Sequence, residues 1–285
     1  MDERSEGRLR GLAMRDGAEL SYRHWEVADP HGAVVAIHGI QSHSGWYTAS
    51  CAHLAAAGYE VVFCDRRGSG RNEASRGDVT DYHVFIDDLC EFVADVRRRV
   101  GQRPVHLEAI SWGAKLACAT LIEQPNLVDS LMLVTPGLVS KVDVSMAQKL
   151  QTAAALTFNP CKLFDIPLAD ARLFTETPER IEYIETDPLS LRKCTARFLY
   201  QTRRLDRFVR RHARELKVPL LMMLAGRDRI VDNDAVRTLF DAFASDPKKM
   251  VTYDDAAHTL EFEPQPDAVF NDMVAWLNAR GTTHG

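Results

Sequence analysis

Five short apolar runs, at residues 33–38, 61–65, 105–110, 131–135 and 220–225, alternate with amphipathic segments of helical spacing. Strands separated by helix-length stretches cannot pair through tight hairpins, so they pair in parallel, each crossover helix lying on a face of the sheet. One crossover can be read residue by residue. Phe85, Leu89, Phe92, Val93, Val96 and Val100 recur at three- and four-residue intervals, the stripe a helix packed on a sheet needs. The piece containing residues 20–25 reads as an antiparallel hairpin leading into the sheet. A late strand at 249–253 precedes a final helix at about 267–279. The expected class is α/β: a mainly parallel sheet flanked by helices.

The alternation stops between residue 137 and about residue 214, where the pattern turns helical and Pro160, Pro167, Pro178 and Pro188 punctuate it. A chain of 285 residues lies near the upper limit for one core, so an insertion into one domain is the simplest organisation. The expected division is a core over 1–137, a helical cap over 138–214 and the rest of the core over 215–285. The cap follows one strand end and precedes another, which sets it above the carboxyl edge of the sheet, where α/β proteins bind ligands. Met146, Leu150, Ala154, Leu156, Phe158, Leu163, Phe164, Phe198 and Leu199 make it apolar. Most of these serve its own packing. Phe158 and Phe198, with Trp46, are the candidates to line an acyl pocket, and the apolar cap suits transient contact with a lipid surface.

A formal net charge of -5 argues against a nucleic-acid partner. Arginine is dense at 97–99 and 203–211, but apolar residues interleave at helical spacing, so both read as solvated helix faces. Residues 1–10 are charged and carry no apolar signal core, and no later stretch approaches the ~18 apolar residues of a membrane span. A soluble cytoplasmic protein is expected. Cys51, Cys64, Cys90, Cys118, Cys161 and Cys194 are scattered, with no CxxC and no Cys/His cluster. They read as reduced structural thiols, and neither metal nor cofactor is expected.

The third apolar run breaks at Ala109-Ile110-Ser111-Trp112-Gly113 and continues as a helix from Lys115 to Glu123. A serine on a sharp strand-to-helix turn needs small residues two before and two after it, because the backbone is strained and a neighbouring chain passes close. Such a serine is a candidate nucleophile, and a serine hydroxyl needs an adjacent base. Of ten histidines, His258 fits best: it follows the strand at 249–253 in a loop near the chain's end. Asp228 lies just past the fifth apolar run, at the same sheet edge, placed to hold one imidazole tautomer. Asp232 and Asp234 are rivals, though Asp232 suits the N-cap of the helix running to Phe243. After the first apolar run, His38-Gly39-Ile40 makes a turn from which the amide of Ile40, together with that of Trp112, can meet a developing oxyanion. His38 and His43 read as structural hydrogen-bonders.

These motifs, in this order, resemble the α/β-hydrolase superfamily, and within it the monoacylglycerol lipase and lysophospholipase branch. The resemblance rests on His38-Gly39 through His43-Ser44-Gly45, on Asp65-Arg66-Arg67-Gly68-Ser69-Gly70-Arg71-Asn72, on Asp187-Pro188-Leu189, on Gly226 to Asp228, and on His258. It implies Ser111 as nucleophile, Asp228 as acid, His258 as base, Ile40 and Trp112 as oxyanion donors, and a small-molecule acyl ester as substrate. The chain departs from the branch at Ala109, where glycine is usual, and at Trp112, where methionine or a smaller side chain is common; an indole there would narrow the acyl pocket or stack on an aromatic acyl group. Asn72 in place of serine touches only a turn. The expected reaction is two-step ester hydrolysis. The same residues would serve an acyltransferase, cyclase or thioesterase. A peptidase would need cap acids such as Glu176, Glu179, Glu182 or Glu185 to hold an amine, and a non-catalytic member would normally lack part of the triad.

Overall fold

Apolar runs of strand length become strands buried from end to end. The computed structural model describes residues 3–281, so Met1 and Asp2 of the charged N-terminal stretch lie outside the described residues. In chain order the strands are β1 (Arg8–Ala13), β2 (Glu19–Trp25), β3 (Gly32–Ile37), β4 (Tyr59–Cys64), β5 (Val105–Ile110), β6 (Ser130–Val134), β7 (Leu163–Asp165), β8 (Lys193–Thr195), β9 (Leu220–Ala225) and β10 (Lys248–Tyr253). The helices are α1 (Glu3–Glu6), α2 (Thr48–Ala56), α3 (His83–Val100), α4 (Gly113–Glu123), α5 (Met146–Phe158), α6 (Pro178–Thr186), α7 (Ala196–Arg211), α8 (Asn233–Ala242) and α9 (Asp267–Asn278). Every residue of β3, β4, β5, β6 and β9 is buried, as a sheet covered on both faces requires.

The large sheet runs β1-β2-β4-β3-β5-β6-β9-β10. β2 is antiparallel to both β1 and β4, and the remaining pairs are parallel. This is the α/β-hydrolase fold. Its register decides where the chemistry sits. Ile37 at the end of β3 pairs with Ala109 near the end of β5, and Ala225 at the end of β9 pairs with Tyr253 at the end of β10. The loops after β3, β5, β9 and β10 therefore leave from one carboxyl edge, the ligand-binding edge of open α/β sheets.

The crossover helix α3 buries the stripe expected of it, Phe85, Leu89, Phe92, Val93, Val96 and Val100, and ends at Gly101 with φ of 65°. Asp232 caps α8, its side chain accepting from the Ala235 amide at 3.1 Å. Between β6 and β9 the chain leaves the sheet. That segment is not wholly helical: β7 and β8 form an antiparallel ribbon, each strand three residues long and too short to print a period in the sequence. α7 buries Ala196, Phe198, Gln201, Leu205 and Val209, while Arg203, Arg207, Arg210 and Arg211 face solvent. The cysteines are free; Cys51, Cys64, Cys118 and Cys194 are buried and Cys161 is exposed. Among the described residues, no helix is long and apolar enough to cross a membrane.

Candidate active site

β5 ends at Ile110, and Ser111 turns the chain with φ of +51°, a left-handed conformation that non-glycine residues adopt at a cost. Hydrogen bonds hold the turn from several sides. Ser111 donates its amide to Val134 O at 3.0 Å, and its own carbonyl accepts from Ala114 at 3.1 Å and Gly137 at 2.8 Å. The neighbouring backbones approach so closely that a Cβ on Gly113 would lie 2.8 Å from the His38 carbonyl oxygen, and one on Gly137 would lie 3.0 Å from the Ser111 carbonyl carbon. Ala109 tolerates its methyl, fully buried in the sheet.

Three loops from the same edge bring the expected residues together. His258 Nε2 lies 3.0 Å from Ser111 Oγ, and His258 Nδ1 lies 2.7 Å from Asp228 Oδ2. Asp228 Oδ1 accepts the amides of Ile230 and Val231, both at 2.8 Å. Burial by itself would raise the Asp228 pKa. The electrostatic interaction and hydrogen bond with His258, together with the two amides, outweigh burial and hold the carboxyl below its ordinary range. Asp228 is thus an anion bound to Nδ1–H, which leaves Nε2 free to accept a proton from the serine. His258 is buried, its loop tied down by Thr259 N donating to Phe174 O at 2.8 Å, with the Phe174 ring edge-on to the imidazole.

The turn after β3 lies against the nucleophile: a Cβ on Gly39 would sit 3.2 Å from Ser111 Cβ. His38 Nδ1 donates to Gly39 O at 2.8 Å, and His38 Nε2 accepts the Arg66 amide at 2.9 Å. Those two bonds fix the neutral tautomer, and burial, helped by the Arg66 charge, pulls the His38 pKa well below its usual value. Among the described residues, neither the Ile40 nor the Trp112 amide has a hydrogen-bond acceptor. Both amides are free donors: Ile40 follows Gly39, which packs against Ser111, and Trp112 follows Ser111 in the chain.

The three pocket candidates go to different places. Trp46 is buried among Phe174, Tyr183 and Phe262, and its Nε1 donates to Asp187 Oδ2 at 2.9 Å. Phe198 is buried and stacks on Trp112 at 5.7 Å and 21°. Phe158 is 87% exposed at the end of α5, which removes it from any enclosed pocket in this conformation. Trp112 likewise packs inward, against Phe85, Phe198 and Arg66, with Nε1 donating to Thr202 Oγ1 at 3.3 Å.

Asp187 was legible only through its motif, and its work lies in the contacts. Oδ2 accepts from His43 Nε2 at 3.0 Å, from Trp46 Nε1 and from Ser190 Oγ at 2.7 Å, while Leu189 N donates to Oδ1. Burial raises its pKa, but these donors hold it well below the carboxylate range. It ties the segment between β6 and β9 to the loop after β3. Asn72 also does more than fill a turn: Oδ1 accepts the Ser21 amide at 2.9 Å, and Nδ2 donates to Asp65 O at 2.7 Å. Among the described residues, no group of three or more His, Cys, Asp or Glu side chains is arranged to hold a metal ion.

Similarity to known proteins extends over most of the chain. The family described as serine aminopeptidase, S33 matches residues 28–265. The chain is 26% identical to the monoglyceride lipase of Homo sapiens, covering 96% of this chain and 91% of that one. It is 28% identical to the monoacylglycerol lipase of Mycolicibacterium smegmatis, covering 96% and 97%, and 27% identical to the phospholipase YtpA of Bacillus subtilis, covering 89% and 98%. Among solved structures it superposes on a soluble variant of monoglyceride lipase from Saccharomyces cerevisiae with a TM-score of 0.86, at 22% identity and 97% and 96% coverage.

Proposed function

The chain belongs to the serine aminopeptidase, S33 family, and from that premise we propose that it hydrolyses a carboxylic ester with an apolar acyl chain, an acylglycerol or a lysophospholipid, through Ser111, His258 and Asp228. The observation that carries this reading is the continuous chain from Ser111 Oγ through His258 to Asp228, at 3.0 and 2.7 Å, beside two unpartnered amides. Ser111 Oγ attacks the ester carbonyl as its proton passes to His258 Nε2. The carbonyl oxygen becomes an oxyanion and accepts hydrogen bonds from Ile40 N–H and Trp112 N–H. His258 then protonates the leaving alcohol, and an acyl-enzyme remains. Water repeats the sequence with His258 as base, releasing the acid and restoring Ser111.

The names of the relatives supply the substrate class, and the chain's own surface is consistent with it. The segment 138–214 acts as the cap. Met146, Leu150 and Phe158 on α5 and Leu163 beyond it are exposed apolar side chains, suited to transient contact with a lipid surface that delivers the ester. The family description raises an aminopeptidase as the second reading. The acid such a substrate needs is engaged elsewhere: Glu176 pairs with Arg227 at 3.1 Å and Arg229 at 3.6 Å, and Glu179, Glu182 and Glu185 face solvent on α6. A panel of monoacylglycerols, a lysophospholipid, an acetate ester and an aminoacyl anilide tests the proposal. Preferential release of a medium-chain acid from the first two classes is expected; cleavage of the anilide alone, or transfer to an added alcohol with no free acid, would replace it.

A further inference from the structure

Arg66 is a buried charge that the reaction above does not use. Its side chain is nearly inaccessible, and among the described residues no carboxylate hydrogen-bonds to it. Instead Nη2 donates to the carbonyl oxygens of Gly39 at 3.2 Å and Ile40 at 3.0 Å, while Nε and Nη1 have no protein partner. The guanidinium lies 4.6 Å over the Trp112 ring, with Phe85 and Phe198 at 5.8 and 5.9 Å. Burying a cation with no hydrogen-bonded carboxylate is unfavourable, and burial pulls the Arg66 pKa down to about 9 against the opposing charge of Asp65. Ordinary core packing would be served as well by an apolar side chain of the same volume.

What the cation touches gives it a role. The Gly39 carbonyl and the Ile40 N–H belong to one planar peptide unit in the trans form, so they point in opposite directions. Fixing the carbonyl therefore fixes the amide. The Gly39 oxygen accepts both Arg66 Nη2 and His38 Nδ1, and two donors on that oxygen also draw electron density from the amide nitrogen. The same guanidinium rests on the indole of Trp112, whose backbone supplies the other free amide.

We propose that Arg66 is the positioning residue of the oxyanion hole, clamping the carbonyl side of the Gly39–Ile40 peptide while bracing Trp112, so that one side chain locks both donors toward Ser111. This rests on the assignment of Ile40 and Trp112 as oxyanion donors. Arg66 touches no reacting atom; it acts through the two amides.

The test compares Arg66→Met and Arg66→Lys with the unaltered protein on a p-nitrophenyl butyrate assay, counting sites by fluorophosphonate titration so that unfolded protein does not register. The second readout is inhibition by a trifluoromethyl ketone, which adds reversibly to the serine and leaves its oxygen in the oxyanion hole. Removing one donor outright costs 10²–10³ in kcat, so a misaligned pair in Arg66→Met should cost about 10- to 100-fold, with KM within about twofold. The inhibition constant should rise by the same factor as kcat/KM falls, because both report the tetrahedral state. Arg66→Lys, which keeps the charge and a single donor group, should fall between, on the same line, and it decides the matter alone if the methionine variant does not fold. Unaltered kcat per titrated site, or a loss confined to KM with the ketone unaffected, overturns the proposal. Ser111→Ala separates the two levels: an inactive Ser111→Ala beside a fully active Arg66→Met removes the role of Arg66 only, whereas an active Ser111→Ala removes the oxyanion assignment beneath it.

Discussion

At the scale of the residue, the site depends on a few groups whose neighbours leave them no alternative state. Asp228 is held as an anion by two backbone amides and His258. Asp228→Asn keeps an oxygen for those amides but loses the charge and presents an N–H to the ring, favouring the wrong tautomer. Its kcat is expected to fall by about 10⁴ with the circular dichroism spectrum unchanged; a loss under tenfold would show that Asp228 does not orient the base. Ala109 differs, for its methyl is buried in β5 away from the chemistry. Ala109→Gly should leave kcat alone and lower stability by about 0.5–1 kcal/mol, read from the urea midpoint. Ser111, Asp228 and His258 were legible because each follows a strand-like run, and strand ends converge in a parallel sheet. Arg66 was not. An arginine in a turn motif reads as solvated charge, and nothing local says that Gly39, Ile40 and Trp112, distant in sequence, will enclose it.

At the scale of the element, the segment between β6 and β9 is fastened to the site by a small number of buried contacts. Asp187 gathers His43, Trp46 and Ser190, and Phe174 accepts the Thr259 amide beside His258. Asp187→Ala would leave those donors buried without an acceptor, at a cost of about 1–3 kcal/mol for each one left unsatisfied. Differential scanning calorimetry should show a melting point lower by several degrees, and kcat should fall as the loop after β3 loosens; an unchanged melting point would mean the tether is not structural. The strands of the sheet were legible from continuous apolarity and α3 from its stripe. The β7–β8 ribbon was not, because three residues carry no periodicity. Nor could spacing tell which aromatic residues of the segment turn inward: Phe198 stacks on Trp112 whereas Phe158 projects from the surface, since both follow from how α5 and α7 dock and not from their own patterns.

At the scale of the whole molecule, the sheet hides ionisable groups whose protonation couples the fold to pH. Glu108 on β5 and Glu261 line one small cavity behind the carboxyl edge, together with Tyr47, Ser50 and Thr259. Burial, and then its neighbour Glu261, pushes Glu108 up to about 8, while burial raises Glu261 to about 7 against the pull of the Ser50 and Ala49 amides. In the unfolded chain both release their protons near pH 4.3. The folded protein therefore binds more protons between about pH 4 and about pH 8, and its stability falls as pH rises through that window. Glu108→Gln should flatten the fall: between about pH 6 and 9 its melting temperature declines less steeply than that of the unaltered protein, and equal slopes would exclude Glu108 as the source. The same edge that buries these acids presents the loops after β3, β5, β9 and β10, and one measurement asks directly whether they form a working site. The protein is labelled with a fluorophosphonate and digested, and the adduct is mapped by mass spectrometry, with Ser111→Ala alongside. A single adduct on Ser111, absent from a folded Ser111→Ala protein that has lost ester turnover, is the expected result. An adduct on another serine, or turnover that survives in Ser111→Ala, would contradict Ser111 as the nucleophile.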